Sequence, residues 1–197
     1  MSLGLLKAAA RAENTDGLHL MRLLILLRCA DKRGRTPKPV EGITKLAKLD
    51  FLLRYPVYLE RALLRLGKST SGLDLLPRER TTVETKMIRF RYGPWDSRYR
   101  RWLSLLTSRG LLTVSLQGRK IEIGLTEEGR TLADNLSAQA IFADLADRAT
   151  IVMKTVGDMS GTRLKDFVYE IVPEITGMKW GQEIAADVGT GMDGDLL

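Results

Sequence analysis

The sequence predicts a mainly α-helical fold with a small β-hairpin, which belongs to the α+β class. Over most of the 197 residues, apolar side chains recur at helical spacing. Between residues 112 and 125, apolar and polar side chains instead alternate on either side of a turn at 117–120, which is the pattern of two antiparallel strands. With 44% hydrophobic and 28% charged residues, we expect a globular chain built on one core.

The chain up to Gly67 is predicted to be helical. Residues 14–16 offer N-cap side chains to an apolar helix, whose composition indicates burial. Pro56 ends one helix and suits the first turn of the next, because its ring fixes φ near the helical value. The predicted segments are a short helix or frayed arm at 1–13, a buried helix at 17–31, a basic loop at 32–39, and helices at 42–55 and 56–67.

A linker and a strand are predicted in the middle of the chain. Residues 67–80 are polar and contain Gly and Pro, so we expect a linker or insertion there. From 81 to 92, apolar and basic side chains interleave, which predicts a strand with one basic side. Gly93 and Pro94 are then expected to turn the chain.

The segment 95–110 predicts an amphipathic helix. Asp96 or Ser97 can cap its N-terminus, and Gly110 closes it. We expect its apolar side to pack into the core, so that the arginines project outward. The apolar side consists of Trp95, Tyr99, Trp102, Leu103 and Leu106, and the outward arginines are Arg98, Arg100 and Arg101.

The chain after the hairpin is predicted to be helical as far as Pro173. Thr126 is expected to cap a helix that ends near 136, and helices near 137–156 and 161–172 follow. The last residues are rich in Gly and Asp, so we expect 181–197 to be a flexible tail.

The predicted order helix–helix–helix–strand–helix–hairpin–helix contains a winged helix-turn-helix. The sequence therefore divides into a winged-helix domain at 1–136 with an insertion near 67–95, a C-terminal helical extension at 137–180, and the tail. Winged helices bind DNA, RNA or proteins, so this fold alone does not define a function.

Positive charge is concentrated in one segment. The net charge of the chain is +7, whereas residues 86–120 hold nine basic residues and a single acid, Asp96. This local excess predicts a polyanion or an acidic partner surface, with an ordinary solvated basic face as the alternative. In a winged helix, the helix before the hairpin can lie in the major groove, and the hairpin tip can contact phosphate or the minor groove. The predicted nucleic-acid-binding residues are Arg89, Arg91, Arg98, Arg100, Arg101, Arg119 and Lys120.

The composition argues against catalysis and against membrane insertion. One Cys and one His exclude an internal disulfide and a Cys/His zinc site. His19 has no neighbour suited to nucleophilic catalysis and no acidic cluster converges, so an enzyme such as a nuclease is the least favoured of three hypotheses. The most apolar run is interrupted by Arg22 and Arg28 and is too short to span a bilayer. We expect a cytoplasmic protein without a metal or cofactor.

The segment 97–136 resembles the winged-helix regulators of the multiple-antibiotic-resistance type. The resemblance implies a transcription regulator, which as a symmetric dimer would bind a palindromic operator. Helices at 1–13 and 137–156 are available to form such a dimer. The matching residues are Leu106, Gly110, Leu111, Leu125, Thr126, Gly129 and Arg130.

A second resemblance covers more of the chain, roughly residues 18–136. The phrases KLAKLDFLLRYPVYLERAL at 45–63 and RYGPWDSRYRRWLSLLTSRGLL at 91–112 resemble the middle-component proteins of prokaryotic ABC-three-component conflict systems, which include the Lamassu-type defence operons. In those systems, the middle component accompanies an ATPase like the structural-maintenance-of-chromosomes proteins and an effector that is often a nuclease. The resemblance implies a non-catalytic adaptor subunit of an antiviral or anti-plasmid complex. Such an adaptor would contact the ATPase, the effector or double-stranded DNA, and the dimeric regulator is the alternative.

Overall fold

A computed structural model describes residues 16–73, 75–81 and 86–186 of the chain. The helices of this part are α1 (Asp16–Asp31), α2 (Ile43–Arg54), α3 (Pro56–Arg65), α4 (Pro77–Thr81), α5 (Tyr99–Ser108), α6 (Glu127–Ser137), α7 (Ala143–Val156), α8 (Gly161–Ile171) and α9 (Glu174–Gly177). The strands are β1 (Val40–Glu41), β2 (Ile88–Phe90), β3 (Gly93–Trp95), β4 (Leu112–Gln117) and β5 (Lys120–Leu125), and a 3₁₀ turn (Ala140–Phe142) precedes α7. This α-rich architecture with small antiparallel sheets confirms the predicted α+β class. The helix or arm predicted at 1–13 lies outside the described residues.

The predicted hairpin is confirmed and belongs to a three-stranded antiparallel sheet. Strands β4 and β5 pair along their length, from Leu112 opposite Leu125 to Gln117 opposite Lys120. The two-residue turn between them contains Gly118, whose φ of 62° is left-handed and favours glycine. Strand β1 pairs with the other edge of β5. Because β1 is two residues long, it carries no alternation from which the sequence could have predicted it.

Helices α2 and α3 meet at Tyr55 and Pro56, as predicted. Helix α2 ends at Arg54, and the Tyr55 N–H donates to the Phe51 carbonyl at 2.9 Å. Pro56 then occupies the first turn of α3. A proline is tolerated there because the first N–H groups of a helix have no intrahelical acceptor.

The insertion between α3 and α5 differs from the prediction. Instead of one strand and a Gly-Pro turn, β2 and β3 form a short antiparallel hairpin with Arg91 and Tyr92 at its turn. Pro94 lies within β3, which has no strand on its other side in this two-stranded sheet, so its missing N–H costs no ladder hydrogen bond. Trp95, predicted to lie on the following helix, therefore closes β3, and α5 begins only at Tyr99. The linker predicted before this hairpin contains the short helix α4.

Helix α1 is largely buried. It packs against α2, α5, α6, α7 and β5, and Leu23, Ile25 and Leu26 have no exposed surface. A helix this rich in apolar residues is stable in water only when other elements surround most of it. In the described part of the chain, no helix is both long enough and apolar enough to cross a bilayer.

The C-terminal helices complete the same core. Val152 of α7 and Val168 of α8 are buried in one cluster with the side chains of α1 and α2. Residues 181–186, expected to begin a flexible tail, are instead fixed to the fold. Ile184 is buried, and its N–H donates to the Met87 carbonyl at 2.8 Å. The remainder of the predicted tail lies outside the described residues.

The link between β5 and α6 interlocks with the end of α5. Thr126 caps α6 as predicted, since its hydroxyl oxygen accepts the Gly129 N–H at 3.0 Å. The same hydroxyl donates to the Gly110 carbonyl at 2.7 Å, and the Thr126 N–H donates to the Leu111 carbonyl at 3.2 Å. A Cβ atom at position 129 would collide with that Leu111 carbonyl oxygen, so this close approach requires glycine.

Candidate nucleic-acid interface

Helix α5 has one buried face and one polar, exposed face. The buried side chains are Tyr99, Trp102, Leu103 and Leu106, which confirms their predicted place in the core. The exposed side chains are Arg100, Arg101, Ser104, Thr107 and Ser108. Each of these five residues can donate hydrogen bonds, and none is acidic. Such a face suits contacts to phosphates and to base edges in a groove.

The β4–β5 hairpin follows α5 and packs beside it. Gly110, with a φ of 70°, makes the turn between them, and β4 contacts α5. Beyond Leu112 the whole of β4 is exposed, so the hairpin projects from the body of the protein. At its tip, Arg119 is exposed and has no ion-pair partner in the described part of the chain. Its neighbour Lys120 pairs with Glu41 at 2.9 Å and remains exposed.

A buried ionic cluster, formed by Arg22, Asp50, Arg54 and Tyr99, holds α5 against the core. The Asp50 carboxylate has no exposed surface. It accepts hydrogen bonds from Arg22 Nε at 2.6 Å, from Arg54 Nε at 3.0 Å and from the Tyr99 hydroxyl at 2.6 Å. A buried carboxylate is tolerated only when it is paired and hydrogen-bonded in this way. Because its members come from α1, α2 and α5, the cluster joins three helices.

At neutral pH, Asp50 and Arg54 of this cluster are charged and the Tyr99 hydroxyl is protonated. Burial opposes ionisation of Asp50, but the charges of Arg22 and Arg54 outweigh it and hold the pKa of Asp50 well below its usual range. Burial also opposes the charge on Arg54, whose pKa is nevertheless raised by Asp50. Burial and the Asp50 charge together raise the pKa of the Tyr99 hydroxyl, which therefore remains a donor.

Asp96 extends these ionic contacts to the start of α5. Its carboxylate accepts from Arg54 Nη1 and from the backbone N–H of Arg98, both at 3.0 Å. Asp96 does not cap the helix as predicted, because the N-cap residue is Arg98 and no side chain caps it. Arg98 folds back to pair with Asp96 at 2.8 Å and lies over the Trp102 ring, 4.8 Å from its centroid. Arg98 was predicted to project outward, but its side chain is only 30% exposed.

Trp102 anchors α5 to α1 through Asp16 and His19, and its ring also contacts Tyr99 and Arg54. Its indole N–H donates to Asp16 Oδ1 at 2.9 Å, and its ring lies 4.4 Å from the His19 ring, centroid to centroid. Tyr99 meets the same ring edge-on at 5.4 Å, and the Arg54 guanidinium lies 5.5 Å from its centroid. Edge-on aromatic pairs and cations over indole rings are both favourable arrangements.

His19, the single histidine of the chain, is buried and neutral. Burial lowers its pKa to about 4, helped by the positive charges of Arg22, Arg54 and Arg98. Arg22 Nη1 donates to His19 Nδ1 at 2.9 Å, so that nitrogen carries no proton.

Through His19, we expect the free energy of unfolding to fall by about 2 kcal/mol between pH 7 and pH 5. In the unfolded chain, His19 takes up a proton below its ordinary pKa of 6.5, whereas in the folded protein it stays neutral down to about pH 4. Acid therefore favours the unfolded state over this range. Urea unfolding of the wild type and of His19→Gln at pH 7, 6 and 5 measures the effect, and the variant should lack this part of the decrease. Equal decreases in both proteins would show that His19 titrates normally.

The seven basic residues predicted to bind nucleic acid lie on three elements. Arg98, Arg100 and Arg101 are at the start of α5, Arg119 and Lys120 are at the β4–β5 turn, and Arg89 and Arg91 are on the β2–β3 hairpin. Arg89 is partly engaged, because its Nε donates to the Ile175 carbonyl at 3.0 Å and its guanidinium faces Tyr169. Arg101 pairs with Asp16 at 2.6 Å but is 69% exposed. The accessible cations on α5 and the β4–β5 hairpin are thus Arg100, Arg101, Arg119 and Lys120.

Two features of this region were missed by the sequence reasoning. Asp50 was not singled out, although an acid on the apolar side of α2, beside Leu49 and Phe51, was an available signal. The alternation of β4 and β5 did not show which of its apolar residues are covered: Ile123 and Leu125 are buried, whereas Leu116 and Ile121 are exposed.

The described residues offer a binding surface and few reactive groups. No three His, Cys, Asp or Glu side chains among them are grouped so as to hold a metal ion. Burial raises the pKa of the Cys29 thiol, whose Sγ lies 3.6 Å from Thr150 Oγ1. The thiolate that nucleophilic chemistry requires is therefore disfavoured.

Compared with known proteins, the chain matches no family model, no curated protein and no solved structure. Its function is therefore inferred from the surface that α5 and the β4–β5 hairpin form.

Proposed function

We propose that the chain is a non-catalytic subunit that binds double-stranded DNA as a winged helix. Helix α5 enters the major groove, and the β4–β5 hairpin contacts the neighbouring backbone. The observation that carries the proposal is the exposed face of α5, which presents two arginines, two serines and a threonine and no acid. From Ser97 to Ile121 the chain contains no acidic residue, whereas it contains six basic ones. A polyanion is the partner that such a surface attracts.

The order of elements supports the winged-helix interpretation. Helices α1, α2 and α3 precede α5, and the hairpin follows α5 directly. The short β1, which lies between α1 and α2, pairs with β5 and completes a small sheet beside the helices. Helix α4 and the β2–β3 hairpin form an insertion between α3 and α5.

We extend the proposal to an adaptor role in an antiviral or anti-plasmid complex with an ATPase and a nuclease effector. The support is the resemblance of 45–63 and 91–112 to the middle components of ABC-three-component systems. These two phrases meet in the fold: one supplies Asp50 and Arg54, and the other supplies Asp96 and Tyr99. Helices α7 and α8 add surface beyond that of a minimal DNA-binding unit, as an adaptor requires.

A dimeric winged-helix transcription regulator is the second candidate. It is favoured by the interlock of Gly110, Leu111, Thr126 and Gly129, residues that resemble the motif of the multiple-antibiotic-resistance regulators. Light scattering of the purified chain, together with co-purification with the products of neighbouring genes, separates the two candidates. A monomer that co-purifies with an ATPase supports the adaptor, whereas a dimer that selects a palindromic site supports the regulator.

We expect duplex binding by the wild type to be steeply salt-dependent, with a log–log slope of about −4 if Arg100, Arg101, Arg119 and Lys120 each contact a phosphate. In Arg100→Glu with Arg119→Glu, the slope should fall to about −2 and the affinity should fall at every salt concentration. Fluorescence anisotropy with a labelled duplex of mixed sequence, between 50 and 200 mM salt, measures both quantities. The control is Arg163→Glu, the same type of substitution at an exposed position on α8, which should bind like the wild type.

Each of these three arginines is exposed, so the variants should melt at the wild-type temperature. If the double variant kept the wild-type affinity and slope, α5 and the hairpin would not be the DNA-binding surface.

A further inference from the structure

The β2–β3 hairpin and the segment after α9 bring three aromatic rings together at the surface. The Phe90 ring lies 6.3 Å from the Trp180 ring and 6.1 Å from the Trp95 ring, centroid to centroid. Phe90 is 44% exposed and Trp180 is 67% exposed. Trp95 is half-buried and packs against Tyr99, 5.3 Å away. These three side chains are called the aromatic platform below.

Backbone hydrogen bonds hold the aromatic platform in place. The Arg89 N–H donates to the Gln182 carbonyl and the Gly181 N–H donates to the Arg89 carbonyl, both at 2.8 Å. Residues 181–184 thereby extend along β2. A turn between Lys179 and Gln182, in which Gly181 has a φ of 85°, presents Trp180 beside Phe90.

A buried tyrosine ties this arrangement to the core. The Tyr55 hydroxyl donates to the Ile184 carbonyl at 3.1 Å and accepts the Met87 N–H at 2.7 Å. It therefore bridges the two backbone segments that carry Trp180 and Phe90. The rings are consequently arranged before any ligand arrives, which reduces the entropy lost on binding.

Stability does not account for the exposure of these rings. Burying an aromatic side chain stabilises a fold more than burying most other side chains, yet two-thirds of the Trp180 surface stays exposed to water. Grouped exposed apolar side chains mark interaction sites in soluble proteins. Their grouped exposure therefore marks this surface as a candidate interaction site.

Positive charge surrounds the aromatic platform. Lys86, Arg89, Arg91 and Lys179 lie on the two segments that carry it. Of the nearby acids, Glu183 pairs with Lys86 at 3.0 Å, and Asp96, which follows Trp95, pairs with Arg54 and Arg98. The Arg91 guanidinium lies over the Tyr92 ring at 5.4 Å, and both side chains are exposed at the hairpin turn. Lys179 is exposed and forms no ion pair in the described part of the chain. This excess of cations favours a ligand that is both aromatic and anionic.

We propose that the aromatic platform binds unpaired nucleotides of a single-stranded nucleic acid. Bases stack on Trp180 and Phe90, and Arg91 and Lys179 pair with the flanking phosphates. Aromatic rings beside cations are the usual means of holding a single strand without sequence preference, because every base has a π face. Its exposed rings lie on the β2–β3 hairpin and on the segment after α9, and the residues proposed to contact duplex DNA lie on α5 and the β4–β5 hairpin, so the two proposals are tested with different substitutions.

The test uses the full chain with labelled twelve-nucleotide oligothymidine and oligouridine. We expect Trp180→Ala and Phe90→Ala to weaken binding about tenfold each, within the range for loss of one stacked base. Trp180→Phe, which keeps an aromatic face, should retain most of the affinity. Trp180 is the most exposed of the three tryptophans. The oligonucleotide should therefore quench the tryptophan fluorescence of the wild type, and this quenching should be absent in Trp180→Phe.

Controls separate this site from the duplex-binding surface. Ile141→Ala removes another exposed apolar side chain and should leave oligonucleotide binding unchanged. Arg100→Glu with Arg119→Glu should also retain it. Binding of either oligonucleotide with the expected losses supports the proposal, and the stronger of the two identifies DNA or RNA as the source.

Wild-type affinity for both oligonucleotides in Trp180→Ala and Phe90→Ala would overturn the proposal. The absence of binding of both oligonucleotides by the wild type would also overturn it. If Trp180→Ala then abolished capture of a protein partner, the rings would be a protein-docking surface.

Discussion

Asp50→Asn is expected to lower the free energy of unfolding by about 3–5 kcal/mol, the usual cost of removing one partner from a buried ion pair. The carboxylate neutralises Arg22 and Arg54, and both guanidinium groups are largely buried, with side-chain exposures of 12% and 3%. Asparagine has almost the same volume, so the loss comes from uncompensated charge and not from a cavity. Urea unfolding at pH 7 measures the change.

Asp134→Asn is the matched control for Asp50→Asn. Asp134 also pairs with two cations, Arg28 at 2.8 Å and Lys32 at 2.7 Å, but its carboxylate is 41% exposed. Water screens this pair of contacts, so we expect a loss below about 1 kcal/mol. Equal losses in the two variants would mean that the Asp50 cluster is hydrated and contributes no more than a surface salt bridge.

Trp102→Ala is expected to cost about 3–5 kcal/mol, because the substitution empties a volume that the surrounding helices cannot refill. Trp102 has no exposed surface. The change also leaves Asp16 without the indole donor and removes the ring beneath Arg98 and beside His19. Chemical unfolding measures the loss, and duplex binding should weaken with it because α5 loses its anchor.

Trp180→Ala is the control for Trp102→Ala, since the residue change is the same and Trp180 is exposed. We expect it to alter stability by less than about 0.5 kcal/mol. A different result would change the role assigned to Trp102. If Trp102→Ala kept the wild-type melting temperature and abolished complex formation, Trp102 would be an interface anchor and not a core residue.

The surface proposed to bind DNA was only partly predictable from the sequence. The 3.6-residue period placed Tyr99 and Trp102 in the core and Arg100 and Arg101 outside, and the structure agrees. The same period placed Arg98 outside, but the backbone turn at Asp96 brings its guanidinium onto that carboxylate. Periodicity specifies which side of a helix a residue occupies. It does not specify whether a long, flexible side chain folds back onto the protein.

The sequence by itself determined the features that arise within a few neighbouring residues. The α2–α3 break at Pro56, the alternation of β4 and β5 and the Thr126 cap all follow from local backbone chemistry. The two-residue β1, the β2–β3 hairpin and the course of residues 181–184 were decided by the tertiary structure. Each is too short to carry a periodic pattern, and β1 and 181–184 depend on pairing with strands distant in the chain.

The buried ionic cluster around Asp50 is the clearest example of a feature that the tertiary structure decided. Asp50 meets Arg22 across 28 residues of sequence and Tyr99 across 49. The apolar neighbours of Asp50 indicate in the sequence that it is buried, but nothing in the sequence indicates which cations pair with it. Their interaction exists only because α1, α2 and α5 converge and exclude water, since the low polarity of that site is what makes the pairing obligatory.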